Sequence, residues 1–277
     1  MIAAELPVTR RLQPSQGWTT RTLSEVWAYR ELLYFFIWRD IKVRYKQTLL
    51  GAGWAIVQPL MTMVVFTIFF GHLAKVPSDG LPYPVFSLIA LVPWSYFASA
   101  LAGSSTSLSG YQHIISKVYF PRLIIPLAAV IAPLVDFAIG FVILIGFMAW
   151  YRIVPGAAIV WLPALMLLAI CTAASIGVWL CALNVRYRDV RYVVPFVVQL
   201  WMFATPVAYP ASLVPGRWRA VYGLNPMAGV IEGFRWALAG GPAPGVITLV
   251  SAIVVLALIV GGAIYFRRLE GTFADVI

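Results

Sequence analysis

The chain contains 277 residues, of which 62% are hydrophobic and only 11% are charged. Roughly a quarter of the residues in a soluble domain are charged, so the composition excludes a soluble globular protein and predicts an integral membrane protein. The net charge of +10 does not indicate a nucleic-acid partner, because eight of the twenty basic residues precede Gln47, a distribution that orients a membrane protein.

The N-terminal region divides into a poorly structured arm, residues 1–24, and an amphipathic helix, residues 25–46. Apolar side chains occupy one face of this helix and basic side chains the other. Asp40 and Arg44 interrupt the apolar face and, at i, i+4 spacing, are expected to neutralise each other.

Two interpretations of the basic helix stay open. It either rests on anionic lipid headgroups or also binds a lipid-linked phosphate. In the second interpretation the residues that first meet the phosphate are Arg39, Lys42, Arg44, Tyr45 and Lys46.

Six apolar stretches follow, and about twenty apolar residues are enough to cross a bilayer. The predicted spans are 54–73, 84–104, 124–151, 159–183, 192–209 and 246–266, of which 192–209 is the shortest and is interrupted by prolines. With both termini cytoplasmic, fifteen of the twenty Lys and Arg residues lie on the inner side, as the positive-inside rule requires. We therefore predict one all-α, six-span membrane domain, residues 25–277.

Residues 107–121, between the second and third spans, are predicted to form a short amphipathic helix that Pro121 ends. An exposed apolar stripe suits docking into a groove of a soluble partner; alternatively, the helix lies on the membrane surface. The candidate docking residues are Tyr111, Ile114, Ile115, Lys117, Val118, Tyr119 and Phe120.

The third span contains an acid, Asp136, where an ionisable group is costly unless it is paired or hydrated. It could line a pathway or carry protons. No basic partner inside the membrane is evident from the sequence, so the indication of proton coupling is weak.

Aromatic residues are abundant in the spans and either face lipid or contact a sugar chain. Flat aromatic faces suit the C–H faces of sugars. The candidate sugar-channel residues are Phe66, Phe69, Phe70, Tyr192, Phe196, Gln199 and Phe203.

Residues 210–245, on the outer side, are too polar for an ordinary span. Within them Glu232 and Arg235, at i, i+3 spacing, are expected to pair. The chain contains no G-x-x-x-x-G-K-[ST] phosphate loop and no catalytic or metal constellation. These features predict a transport subunit without a cofactor rather than an enzyme.

Several motifs occur together and in order along residues 25–270. They are RDIKVRYKQTLLG at 39–51 with QPL at 58–60, KVYFPR at 117–122, LNVRYRDV at 183–190, ATPVAYP at 204–210, LNPMAG at 224–229 and EGFRW at 232–236. Together they resemble the ABC-2 type permeases that export lipid-linked polysaccharides such as O-antigen and teichoic acid.

The resemblance implies an interface helix at 25–46, a coupling helix at 107–121 and re-entrant gate helices within 210–245. It also implies a homodimer of permeases with two ABC ATPase subunits, which would bind the ATP and Mg, and a channel lined by the aromatic faces at the dimer interface. The outer-gate residues would be Asn225, Pro226, Glu232, Arg235 and Trp236.

The function implied is export of undecaprenyl-linked polysaccharide, O-antigen-like in type, from the cytoplasmic to the outer side of the bacterial inner membrane. Membrane lipids would be further partners. Two alternatives remain: a drug or small-solute exporter of the same architecture, and a proton-coupled transporter that depends on Asp136.

Overall fold

The computed structural model describes residues 21–46, 53–111, 117, 120–241, 243 and 245–270, and within these ranges all regular structure is helical. Most of the predicted arm therefore lies outside the described residues, as do the candidate docking residues Ile114, Ile115, Val118 and Tyr119. The α-helices in chain order are α1 (Arg21–Ala28), α2 (Arg30–Tyr45), α3 (Gly53–Phe66), α4 (Tyr83–Gly110), α5 (Ile124–Ile131), α6 (Leu134–Trp150), α7 (Leu162–Arg186), α8 (Val190–Phe203), α9 (Arg219–Tyr222), α10 (Pro226–Ala239) and α11 (Gly245–Glu270).

Five helical stretches are long and apolar enough to cross a membrane, and they confirm five of the predicted spans. A π-helix, Thr67–Leu73, extends α3, and a 3-10 helix, Ala157–Trp161, precedes α7. The sixth predicted span corresponds to α8, which is apolar but has only 14 residues. At 1.5 Å per residue α8 is about 21 Å long, less than the roughly 30 Å of a hydrocarbon core. The six-span topology stays a prediction.

The long helix α4 is the centre of the fold. It packs against α3, α5, α6, α7, α8 and α10, and almost every side chain of its apolar portion is buried. It packs tightly against α7 at Gly177, where an added Cβ would lie 2.6 Å from the Ser104 Oγ. Only glycine lets the two backbones come this close.

The third span is two helices rather than one. It breaks between α5 and α6 at Ala132 and Pro133, because proline has no N–H to continue the hydrogen-bond ladder. The break places Asp136 in the first turn of α6.

The N-terminal helix also differs from its prediction. It begins earlier, at Arg21, and is interrupted at Tyr29, so that α1 and α2 replace the single predicted helix. The second of these, α2, packs along α5.

The region predicted to lie on the outer side is built around α10, which packs against α4, α7 and α11. The Asn225 side chain caps its start by accepting a hydrogen bond from the Met227 N–H. Its end is marked by Gly240 at φ +81°, a backbone conformation that favours glycine. With 14 residues, mostly buried, α10 is too short to span. The predicted re-entrant arrangement stays a prediction.

Candidate functional site on the interface helix

Phe36 anchors α2 by packing against residues near the end of α4 and the start of α5. It is only 2% exposed, and its ring lies 5.1 Å from the Tyr111 ring and 5.8 Å from the Phe120 ring. The apolar face predicted for this helix is confirmed at Leu33, Phe36 and Ile37, which pack on the cluster formed with α4 and α5.

A polar contact lies beside this cluster. The Arg39 guanidinium stands 4.0 Å from the centre of the Tyr111 ring, and the Tyr111 hydroxyl donates a 2.8 Å hydrogen bond to Asp40 Oδ1. Burial, followed by the bond to Asp40, raises the pKa of Tyr111, which keeps the hydroxyl a donor. Arg39 also approaches Asp40, at 3.4 Å.

These contacts change the interpretation of two candidate docking residues. Tyr111 and Phe120 are buried against α2 rather than exposed for a partner. They join the segment at 107–121 to the interface helix, whereas Lys117 is exposed. The coupling role of the segment stays a prediction.

Asp136 holds the end of α2. One carboxylate oxygen pairs with the Arg44 guanidinium, and the other accepts a hydrogen bond from the Tyr45 hydroxyl. Burial, and then the contact with Asp136, raises the pKa of Tyr45, so its hydroxyl remains a donor.

The expected Arg44–Asp40 pair is therefore wrong. The basic partner of Asp136, which was not evident among the spans, comes from the interface helix. Asp40 is engaged by Arg39 and Tyr111, while the packing of α2 along the third span brings Arg44 to Asp136. A signal was present in the sequence: a single acid in an apolar span requires a partner.

Lys42 and Lys46 complete the predicted phosphate-binding residues. Both side chains are exposed, Lys42 on α2 and Lys46 directly after its end, and the Lys42 Nζ lies 5.1 Å from the centre of the Trp38 ring. Among the described residues, no carboxylate forms a salt bridge with either lysine. Of the four basic residues among the five predicted phosphate contacts, Lys42 and Lys46 are the two that form no ion pair within the described part of the chain.

The candidate sugar-channel residues separate into two groups. On α8, Tyr192, Phe196, Gln199 and Phe203 are exposed, and Phe69 is exposed on the π-helix. By contrast, Phe66 is buried in the apolar core, and its ring lies 5.1 Å from that of the half-buried Phe70. Within this chain Phe66 is therefore a core residue and not part of the exposed aromatic face, because α3 turns it toward α4.

Asn225 connects the outer end of α8 to α10. Its side-chain oxygen accepts from the Trp201 indole N–H at 2.9 Å, and its amide nitrogen donates to Thr205 Oγ1 at 2.9 Å and to the Ala204 carbonyl at 3.2 Å. The sequence indicated Asn225 only through its motif. Its partners Trp201 and Thr205 were not predicted.

Arg235 fixes the irregular segment of turns that follows α8. Arg235 is only 7% exposed. Its guanidinium lies 3.9 Å from the centre of the Phe86 ring and donates to the carbonyls of Val207 and Tyr209 at 3.1 and 3.2 Å. The predicted ion pair with Glu232 is confirmed at 2.8 Å. Desolvation lowers the pKa of Arg235 and the neighbouring Glu232 opposes that effect.

The remaining predicted gate residues lie on the same helix. Pro226 is buried at the start of α10, and Trp236 is half-buried with its ring 6.5 Å from that of Trp161.

Among the described residues, no group of His, Cys, Asp or Glu side chains could hold a metal ion.

Comparison with known proteins agrees with this architecture. The family described as "ABC-2 type transporter" matches residues 31–239. The chain is 28% identical to the O-antigen export system permease protein RfbA of Myxococcus xanthus over 78% of its own length and 83% of that protein. It is 27% identical to a protein of the same name from Klebsiella pneumoniae, over 89% and 95% of the two chains. The polysialic acid transport protein KpsM of Escherichia coli is 23% identical, over 84% and 91%.

Proposed function

We propose that this chain, which belongs to the ABC-2 type transporter family, is the permease subunit of an ATP-driven exporter of lipid-linked polysaccharide. The observation that carries the proposal is the likeness to two O-antigen export permeases over 78% and 89% of the chain. The relatives are covered over 83% and 95% of their own lengths, so the likeness is not confined to a short motif.

The substrate is a polysaccharide linked through a pyrophosphate to a polyprenyl lipid, undecaprenyl in bacteria. Export runs from the cytoplasmic to the outer side of the inner membrane. The exposed ammonium groups of Lys42 and Lys46 support this substrate because cations at the membrane boundary attract a lipid-bound phosphate.

The channel forms between two copies of the permease. The exposed aromatic rings of Tyr192, Phe196 and Phe203 on α8, with Phe69 of the π-helix, support this placement. Aromatic faces exposed within the apolar part of one chain can stack on sugars in a channel between two chains. Export of a long polymer requires many weak contacts of this kind.

Energy comes from two separate ABC ATPase subunits that bind ATP and Mg and dock on the segment at 107–121. Tyr111 and Phe120 join this segment to Phe36 of α2. Movement of the docked segment is therefore transmitted to the interface helix, where the substrate headgroup binds.

The test is reconstitution of the permease with the ATPase from the same genome in proteoliposomes. ATP hydrolysis should rise when lipid-linked glycan is added, and free glycan without its lipid should not produce the rise. Stimulation by small amphiphilic drugs instead of the glycan would favour a small-solute exporter. Transport driven by a pH gradient in the absence of ATP would contradict the proposal.

A further inference from the structure

The outward face of α2 carries two exposed aromatic rings, Tyr34 and Trp38, followed by two cations at the same spacing. Trp38, Lys42 and Lys46 follow each other at intervals of four residues, which places them on one helix face over about 12 Å. At 3.6 residues per turn, Trp38 and Lys42 lie roughly 160° and 120° around the helix from the buried Phe36. All three side chains are exposed, and Trp38 is 48% exposed.

Among the described residues, the carboxylates near the two lysines are already engaged by other side chains. Asp40 binds Arg39 and Tyr111, and Asp136 binds Arg44 and Tyr45. In the part of the chain that the structure describes, no salt bridge includes Lys42 or Lys46. Two ammonium groups one helical turn apart offer several N–H donors to a ligand that carries more than one negative charge.

The Trp38 ring indicates that the anionic ligand also carries a group that can stack on an indole. The Lys42 Nζ lies 5.1 Å from the centre of the Trp38 ring, so an anion held by Lys42 is adjacent to the indole. In a glycosyl pyrophosphate, one bridging oxygen joins the sugar ring to the first phosphate. A sugar stacked on the indole therefore places its phosphates beside Lys42 and Lys46. An indole suits this contact because its face is broad and apolar.

We propose that Trp38, Lys42 and Lys46 form a binding site for a glycosyl pyrophosphate, the link between the polymer and its lipid. The sugar next to the pyrophosphate stacks on Trp38, and the two lysines bind the phosphates. This inference rests on the proposed function and deepens it. Of the five predicted phosphate contacts, only Lys42 and Lys46 then bind phosphate. Arg39 holds α2 in place through Asp40 and Tyr111. Arg44 and Tyr45 do so through Asp136.

Trp27 provides a matched control on the neighbouring helix. It is also exposed, and the Arg30 guanidinium lies 5.8 Å from its ring centre. The adjacent residue of α2 is the exposed acid Glu31, which disfavours a phosphate at that position. A Trp–cation pair without a second cation on its face should not bind the ligand.

The experiment measures binding to the permease–ATPase complex in phosphatidylcholine nanodiscs. Two probes are compared: undecaprenyl pyrophosphate, and the same lipid carrying one N-acetylglucosamine. Lys42→Gln should weaken binding of both probes by about three- to tenfold. Trp38→Leu should weaken only the glycosylated probe, by a similar factor, and Trp27→Leu should change neither. Size-exclusion profiles check that each complex is intact, and Trp38→Phe replaces Trp38→Leu if the latter does not assemble.

The outcomes separate this inference from the proposed function. Equal effects of Trp38→Leu on the two probes, or no effect on either, would overturn the site while leaving the exporter intact. A wild-type complex that binds neither probe would overturn both. A third arm adds phosphatidylglycerol to the nanodiscs. If it displaces the glycosylated probe and Lys42→Gln abolishes that displacement, the lysines bind phospholipid headgroups and the site is overturned. Binding that persists in phosphatidylglycerol supports the site.

Discussion

At the scale of single residues, the fold depends on a glycine where two helices touch and on an arginine that fixes an irregular segment. Gly177 permits the contact between α7 and α4. Arg235 replaces the backbone partners that the carbonyls of Val207 and Tyr209 lack outside a helix. Both depend on side-chain size and donor geometry, so conservative substitutions are expected to be costly.

Gly177→Ala should destabilise the protein by about 1–3 kcal/mol, the usual cost of overpacking a well-filled core. The added Cβ would lie 2.6 Å from Ser104 Oγ and 2.8 Å from Ser104 Cβ. Gly146→Ala is the control because an added Cβ there has no neighbour within 4 Å. Thermal unfolding in detergent measures the difference. Equal melting temperatures for the two variants would contradict the packing described for α4.

Arg235→Lys should also destabilise the protein, by about 3 kcal/mol, although the charge is kept. A single ammonium cannot reach Glu232 and two carbonyls while covering the Phe86 ring. Arg219→Lys, on the exposed α9, serves as the control. The same unfolding measurement applies, and a wild-type melting temperature for Arg235→Lys would show that the guanidinium geometry is not required.

At the scale of elements, the interface helix is held at two places. Phe36 and Arg39 contact the end of α4, and Arg44 with Tyr45 contacts Asp136 just beyond the Pro133 break. The helix therefore bridges the two halves of the third span. Its connection to the segment at 107–121 gives a continuous path from the predicted ATPase contact to the proposed substrate site.

Exchanging the charges of Arg44 and Asp136 tests this bridge. Arg44→Asp and Asp136→Arg each place like charges together and should lower the stability by more than the ~1 kcal/mol that a partly exposed pair contributes. The double variant should recover most of the loss, because the pair is restored in reverse. Protease cleavage near Lys46 reports release of the helix end. Glu31→Gln, a neutralised acid elsewhere on α2, should cleave as wild type does, and additive losses in the double variant would contradict a direct pair.

Features of these elements that depend on residues close in sequence could be predicted. Features that depend on contacts between distant helices could not. Hydropathy predicted the five long spans, and i, i+3 spacing predicted the Glu232–Arg235 pair, because both are local properties. The partners of Arg44 could not be read from local spacing, since they depend on how α2 packs along the third span. For the same reason the burial of Phe66 and Tyr111 was missed: each depends on a neighbouring helix.

At the scale of the whole molecule, the chain is a helical membrane body whose features divide between two ends. The outward basic and aromatic face of α2 lies at one end, and the Asn225 and Arg235 contacts fix α10 at the other. The exposed aromatic side chains of α8 run between them. This distribution suits a substrate that is bound by its charged headgroup and then carried by weak contacts along its sugars.

The orientation of this body is a prediction that can be measured separately. With both termini cytoplasmic, a tag at either end should be digested by protease in inside-out membrane vesicles and protected in intact spheroplasts. The excess of Lys and Arg in the predicted inner segments gives this direction. Opposite accessibility of the two tags would indicate an odd number of spans and would exclude α8 as a crossing helix.

The proposed ATP-driven export of lipid-linked polysaccharide is measured most directly as translocation across the membrane. Inside-out vesicles that contain the permease and its ATPase are loaded on their outer face with radiolabelled lipid-linked polysaccharide, and glycosidase added outside reports how much remains accessible. ATP should make the glycan resistant to the enzyme, a non-hydrolysable ATP analogue should not, and collapse of the pH gradient should leave the protection unchanged. Glycan that stays fully accessible with ATP, or protection that follows the pH gradient alone, would contradict the account.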